Sequence, residues 1–243
     1  MRIIKVNAIN STNEFARDLY HGKSTFEPVC VVAHCQTKGK GQRGAGWVSN
    51  PGENLTFSVL YPHVDFAVED QFFLSAAVAL AIADVLKKYE IPKVAVKWPN
   101  DIMSANFKLC GILIENILKN ANISASVLGI GLNVNQMEFQ NLPQAGSMQQ
   151  MSGQNFNLDR LLENLLDAIE KGLQTLAAHQ KQLLLDEYIS KMFRKDKVSA
   201  FEFPDGSHLT GIIRGVTREG RLFVETEDSD YKTFDLKEIK LLF

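Results

Sequence analysis

Apolar positions along the chain fall into alternating strand-like and helix-like rhythms. Val29-Cys30-Val31-Val32-Ala33 is a β-branched run of strand length, and Leu55, Phe57, Val59 and Tyr61 alternate along residues 54–61. Leu74, Ala77, Val78, Ala81, Ile82, Val85 and Leu86 follow an i, i+3, i+4 spacing. That spacing predicts a helix over 72–88, capped by Asp70 and ended by Ile91-Pro92. Ser11-Thr12-Asn13-Glu14 opens a shorter amphipathic stretch, hydroxyl residues first. Residues 94–98 read as a strand stopped by Pro99-Asn100-Asp101, and 108–115 and 124–133 as two strands joined by a polar turn at 119–122. Leu158, Leu161, Leu162, Leu165, Ile169, Leu173 and Leu176 mark a second strong helix, with Asn157 and Asp159 at its start. The Gln-, Asn-, Gly- and Ser-rich stretch 136–157 exceeds an ordinary connection and predicts a mobile lid.

Composition shifts near 191–197. Short β runs follow from Val198, with turn signals at Pro204-Asp205-Gly206 and Arg218-Glu219-Gly220. The chain therefore divides into a main region of residues 1–190 and a small β module of 191–243, which needs to lean on the main region for stability. Strands and helices alternate irregularly in the main region, which predicts an α+β fold with a mixed sheet. The 243 residues, 45% hydrophobic and 22% charged, suffice for one core plus such a module. Twenty-six basic against 28 acidic residues argue against a chain dedicated to coating nucleic acid. No apolar run spans a membrane, and Met1-Arg2-Ile3-Ile4-Lys5 lacks a signal core, so no membrane partner is expected. Cys30, Cys35 and Cys110 are too few for a disulfide framework, and a cytoplasmic location is expected. They match no zinc spacing with His34.

The chemistry concentrates in glycine-rich segments. Gly39-Lys40-Gly41-Gln42-Arg43-Gly44-Ala45-Gly46-Trp47 combines close-approach backbone with two cations, which suits a phosphate or carboxylate. Its Gly39-x-Gly41-x-x-Gly44 spacing matches a dinucleotide fingerprint, but a turn follows where that fingerprint needs a helix. In Lys97-Trp98-Pro99-Asn100-Asp101, Asp101 offers oxygens to Mg²⁺ and Asn100 an amide to a phosphate; ordinary Asn-Asp turn chemistry accounts for the same residues. Lys108 heads an apolar strand, either as a phosphate-directed charge or as a solvated strand end. Gly111, Gly129 and Gly131 lie inside strands, which fits close approach of a ligand or a β-bulge.

Taken in order, Ser11-Thr12-Asn13, Gln36-x-x-Gly39-Lys40-Gly41-Gln42-Arg43-Gly44-x-x-Trp47, Lys97-Trp98-Pro99-Asn100-Asp101, Lys108-Leu109-Cys110-Gly111-Ile112-Leu113-Ile114-Glu115 and Gly129-Ile130-Gly131-Leu132-Asn133 resemble the biotin protein ligases of the short type. The resemblance covers nearly the whole chain. It implies the biotin ligase catalytic fold, similar to class II aminoacyl-tRNA synthetases, followed by an SH3-like barrel. It also implies an ATP-dependent ligase that makes biotinoyl-5′-AMP and transfers biotin to a lysine of a biotin carboxyl carrier domain, with Mg²⁺. Carried over, Lys108 and Arg43 are the catalytic cations. Ser11, Thr12, Asn13, Gln36, Gly39, Lys40, Gly41, Gln42, Lys108 and Gly111 bind biotin. Lys40, Arg43, Trp47, Asn100, Lys108, Gly131 and Asn133 bind ATP or the adenylate, and Asp101 serves the metal. Similar proteins often carry arginines where this chain has Gln42, Ala45 and Gly46. Some end their last strand with an arginine near ATP; the matching stretch here, Glu238-Ile239-Lys240-Leu241-Leu242, has Leu in that place, with Lys240 as the nearby substitute. The chain starts directly at the catalytic region, so no DNA partner is expected, and a monomer or weak homodimer is. Competing readings are a lipoate ligase or octanoyltransferase-like acyl-transfer enzyme, a non-catalytic biotin-binding regulator and, least in keeping with the turn after Gly46, a nucleotide-dependent oxidoreductase.

Overall fold

Helix α2 (Gln71–Lys88) is buried on nearly every side, from Phe72 and Phe73 to Val85 and Leu86. It is apolar all round rather than striped because the sheet covers one face while α4 (Leu158–Ala177) and α5 (Lys181–Ser190) cover others. This arrangement belongs to a computed structural model that describes residues 1–20, 27–177 and 181–243, the side chains of Arg43, Val64, Asp65 and Ala177 excepted. The expected helices at 72–88 and 158–176 therefore stand. Asp70 does not cap α2, however. Its carboxylate takes Lys181 Nζ at 2.6 Å and faces Arg218, and a short 3-10 turn, Val68–Asp70, leads into the helix.

Seven strands form the main sheet: β1 (Arg2–Ile9), β2 (Val29–Gln36), β3 (Leu55–Ala67), β4 (Val94–Lys97), β5 (Asp101–Ser104), β6 (Phe107–Lys119) and β7 (Asn122–Leu132), in the order β1-β2-β3-β7-β6-β5-β4. β1 and β2 run parallel and the other pairs antiparallel, the mixed sheet that was expected. The expected stop after the strand at 94–98 stands, since β4 ends at Lys97 and Trp98-Pro99-Asn100 turns the chain; Asp101, expected in that turn, instead opens β5, which returns beside β4. Neither β1 nor α5 was expected. β1 is an edge strand without a fully buried position, and only Leu185 and Tyr188 of α5 are buried, so neither carries a clear apolar rhythm.

Strand β7 positions the site. One face of it, Ile123, Leu128, Ile130 and Leu132, joins the core beneath α2 and α4. On the other face Ala125 and Val127 pack with Val31, Leu60 and Ala16 of α1 (Thr12–Tyr20). The same alternation continues with Gly129 and Gly131, whose missing side chains leave a trough that Asn13 and Trp47 enter.

The expected lid at 136–157 is pinned instead. Gln136 Oε1 accepts from Asn54 Nδ2 at 2.6 Å and from Asn50 N, and Asn135 bonds Phe156 through both ends of its amide. Ser147 and Gln150 close a capping box on α3 (Met148–Ser152). The amides that make the segment look unstructured are its fasteners.

The C-terminal strands β8 (Val198–Glu202), β9 (His208–Val216), β10 (Leu222–Thr226), β11 (Tyr231–Phe234) and β12 (Lys240–Leu242) form a separate antiparallel sheet in the order β11-β10-β9-β8-β12. It leans on the main sheet as expected: Phe201, Ile213 and Val224 share one core cluster with α2. Val96 N–H donates to Lys191 O, Phe193 N–H to Val96 O, and Trp98 Nε1 to Gly220 O at 2.8 Å. Among the described residues no helix is long and apolar enough to cross a membrane.

Three residues before Gly129 on β7, Ser126 Oγ lies 3.0 Å from His63 Nε2, whose ring sits between Tyr61 and Phe66. Burial pushes the His63 pKa down to about 4 from 6.5. The unfolded chain therefore binds the proton first as pH falls, and stability drops through the window from 6.5 to 4. Urea unfolding is expected to lose roughly 2 kcal/mol from this histidine between about pH 7 and about pH 4.5, and His63→Gln to remove that slope.

Candidate active site

The trough floor is built from glycines in register. Gly111 of β6 stands opposite Gly131 of β7, whose neighbour on β3 is Thr56; Gly129 stands beside Ser58. Helix α1 begins above one end, where Ser11, Thr12 and Asn13 are buried although polar. The burial of Thr12 and Asn13 is offset by hydrogen bonds. Thr12 N–H donates to Gln36 Oε1 at 2.7 Å, and Thr12 Oγ1 lies 3.0 Å from the same oxygen. Ser58 Oγ lies 2.7 Å from Thr12 Oγ1 and 2.6 Å from Asn13 Oδ1. Asn13 rests on Gly129, where an added Cβ would come within 2.2 Å of its Oδ1.

The glycine-rich loop folds as a tight hairpin over the trough. Trp47 N–H donates to Gly39 O at 2.9 Å and Gly41 N–H to Ala45 O at 2.7 Å, around a 3-10 turn at Gln42–Gly44. Gly39 lies so close to the returning strand that a Cβ would sit 2.3 Å from Trp47 O. The Trp47 indole lies across the Gly111–Gly131 pair, and a Cβ on Gly131 would fall 2.2 Å from its Cε2. Lys40 Nζ is tied to Glu14, both half exposed. The backbone of Arg43 lies in the 3-10 turn; its side chain is outside the described residues.

Opposite the hairpin is a charge cluster from the β4-β5-β6 edge. Lys108 Nζ lies 2.6 Å from Asp101 Oδ1, an ion pair without hydrogen-bond geometry, and Lys97 Nζ lies 3.7 Å from Asp101 Oδ2. Lys108 also faces the Trp47 ring at 5.8 Å and Lys97 the Phe243 ring at 5.1 Å. Burial pulls the Lys97 pKa down, with Asp101 opposing and Lys108 adding to the fall.

Two solvent-open clefts meet here. The first, of about 450 Å³, holds Thr12, Gln36, Gly41 and Gly111; the second, of about 990 Å³, holds Lys97, Asp101, Asn133 and Phe139. Lys108 and Trp47 line both. Ser11, Asn13, Lys40 and Gln42 also fall in the first cleft, and Gly39 closes the hairpin behind it. Asn100 and Gly131, expected on the nucleotide side, lie in the first cleft instead. Asn100 Nδ2 donates one proton to Ile112 O at 2.6 Å. Asn133 lines the second cleft while holding Gly146 O at 2.9 Å. Lys240 does not take the missing arginine's place there: it pairs with Glu202 and borders a groove between the two sheets.

Asp101 does not fit a magnesium site. Its carboxylate faces two ammonium groups, Lys108 Nζ at 2.6 Å and Lys97 Nζ at 3.7 Å, which already neutralise the charge a cation would need. Ser58, Lys97, Glu115 and Phe243 were not expected at the site. Ser58 carries a signal, a serine in an apolar alternation; Phe243 carries none, because its place depends on how the second sheet docks.

A model of the biotin/lipoate A/B protein ligase family matches residues 6–133. The chain is 30% identical over 203 residues to biotin--[acetyl-CoA-carboxylase] ligase of Mycobacterium tuberculosis, covering 82% of this chain and 74% of that protein. It is 30% identical over 234 residues to the bifunctional ligase/repressor BirA of Escherichia coli, covering 90% of this chain and 68% of that protein. In structure it resembles the biotin protein ligase from Aquifex aeolicus in complex with biotin and ATP, with a TM-score of 0.82 and 25% identity over 99% of this chain and 98% of that one.

Proposed function

The chain is a ligase of the biotin/lipoate A/B protein ligase family, and from that premise we propose that it activates biotin with ATP and passes it to one lysine of a biotin carboxyl carrier domain. The observation that carries this reading is the shared wall. Lys108 and Trp47 line both clefts, so a carboxylate held in the first meets a phosphate held in the second beside an ammonium.

In the first step a biotin carboxylate oxygen bonds to the α-phosphorus of ATP, and the bond from that phosphorus toward the β-phosphate breaks, releasing pyrophosphate. In the second, the carrier lysine nitrogen attacks the acyl carbon, AMP leaves, and the nitrogen loses a proton. Two anions must approach each other in the first step. Lys108 offsets their repulsion, exchanging Asp101 for the incoming charges, and Lys97 and Lys40 reinforce the field. Arg43 is the hairpin's further cation for the α-phosphate. Ser11, Thr12 and Gln36 hold the ureido ring, and Trp47 screens the mixed anhydride from water. The carrier belongs to a biotin-dependent carboxylase, in keeping with the name of the Mycobacterium tuberculosis relative.

A lipoate-type substrate fits less well, because a dithiolane ring offers nothing to the polar wall of Thr12 and Gln36. ATP–pyrophosphate exchange run in parallel with biotin and with lipoate is expected to proceed with biotin alone. Exchange with lipoate alone would reject the assignment, and tight biotin binding without label transfer to a purified carrier domain would make the protein a binder.

A further inference from the structure

A single directed chain of polar contacts runs from the surface into the first cleft: Arg17, Glu115, Asn13, Ser58, Thr12, Gln36. Glu115 stands on β6, seven residues beyond Lys108. Its Oε1 accepts from Arg17 Nη2 at 2.6 Å and its Oε2 from Asn13 Nδ2 at 2.7 Å. An ionised carboxylate only accepts, and so does Leu113 O, 3.4 Å from the same nitrogen. The Asn13 amide therefore has one orientation, nitrogen toward β6 and Oδ1 toward Ser58.

Ser58 is fully buried and has one proton. Asn13 Oδ1 brings none to its 2.6 Å contact, so the Ser58 proton is committed there. The 2.7 Å contact between Ser58 and Thr12 must then draw on the Thr12 proton, whose alternative is Gln36 Oε1 at 3.0 Å. Either way Thr12 turns its proton away from the cleft and presents lone pairs to it. Gln36 Oε1 is fixed by the Thr12 N–H, so its Nε2 turns toward the hairpin, 2.9 Å from where a Cβ on Gly39 would stand. The wall thus offers an acceptor at Thr12 and a donor at Gln36.

We propose that Glu115, clamped by Arg17, is a positioning residue that sets this polarity and so selects a ring bearing N–H donors beside a carbonyl acceptor. The proposal rests on the biotin reading, since a ureido ring has that pattern. A carboxamide at position 115 that gives its oxygen to Arg17 turns its NH2 toward Asn13, which favours the turned-over asparagine and reverses the hydroxyl contacts of Ser58 and Thr12, while Gln36 stays held by the Thr12 N–H.

The test is Glu115→Gln, of nearly the same shape, in biotin-driven ATP–pyrophosphate exchange. The KM for biotin is expected to rise at least about tenfold while the KM for ATP stays within about twofold. Selectivity against 2-iminobiotin, whose ring carbonyl is replaced by a protonated imine, is expected to narrow by a similar factor, about tenfold. An unchanged biotin KM and selectivity would overturn the relay, as would equal rises in both KM values with a lowered melting temperature. Should Glu115→Gln not fold, Arg17→Met decides: a smaller shift in the same direction supports the relay, and none overturns it. Absence of biotin-driven exchange in the unaltered protein would defeat the underlying reading instead.

Discussion

Lys108→Ala is expected to lower biotin-dependent ATP–pyrophosphate exchange by roughly 100- to 1,000-fold, the range for losing one preorganised charge-stabilising group. Two effects combine. The ammonium that bridges the clefts is gone, and Asp101 is left with only Lys97 at 3.7 Å. A half-compensated buried carboxylate then faces the position where a second anion must arrive. Adding Asp101→Asn to Lys108→Ala is therefore expected to recover part of the lost nucleotide affinity without recovering the chemical step. Melting temperature should fall as well, because Asp101 is buried and loses its nearer partner, and the added Asp101→Asn should restore part of that loss. Exchange by Lys108→Ala within about threefold of the unaltered protein would remove this lysine from the mechanism.

Gly39→Ala is expected to be nearly as damaging, for a steric reason. Its Cβ would lie 2.3 Å from Trp47 O, a backbone atom that cannot rotate aside, so the hairpin must open. Opening carries Trp47 off the Gly111–Gly131 pair and exposes the anhydride to water. Exchange is expected to drop about 100-fold, in keeping with the sensitivity of reactions to misplaced positioning groups. The intermediate that still forms should be released and hydrolysed rather than transferred. Isolating AMP in excess over biotinylated carrier checks this; AMP and biotinylated carrier formed in equal amounts would show that the hairpin tolerates the methyl group. Gly44, at φ 84° and with open space around it, is a contrasting case where glycine serves the turn and not the packing.

Much of this site was legible before the fold was known, because close backbone approach leaves a mark in residue type. Gly111 and Gly131 interrupt otherwise apolar strands, and the trough floor is where they pair. Lys108 heads a run whose Leu109, Cys110 and Ile112 are buried. What did not show were properties of register and docking. Ser58 takes its role by standing beside Gly129, four strands later in the chain, and Glu115 by reaching an asparagine about a hundred positions earlier. Asp101 illustrates a different failure: its residue type suits a cation, and it does bind cations, but they are lysines brought to it by the β4-β5-β6 register. The stretch at 136–157 failed for a composition-based reason. Glutamine and asparagine are as frequent in linkers as in braced loops, and only the partners at Asn50, Asn54 and Phe156 distinguish the two.

That braced segment is stitched to Lys108 itself: the lysine N–H donates to Gln144 O at 2.7 Å and its carbonyl accepts from Gly146 N–H at 3.0 Å. The wall that would face a nucleobase and the residue that would govern acid activation are one mechanical piece. Re-engineering this enzyme to accept a modified base by swapping the segment alone would drag the lysine with it, so strand and segment have to be exchanged together.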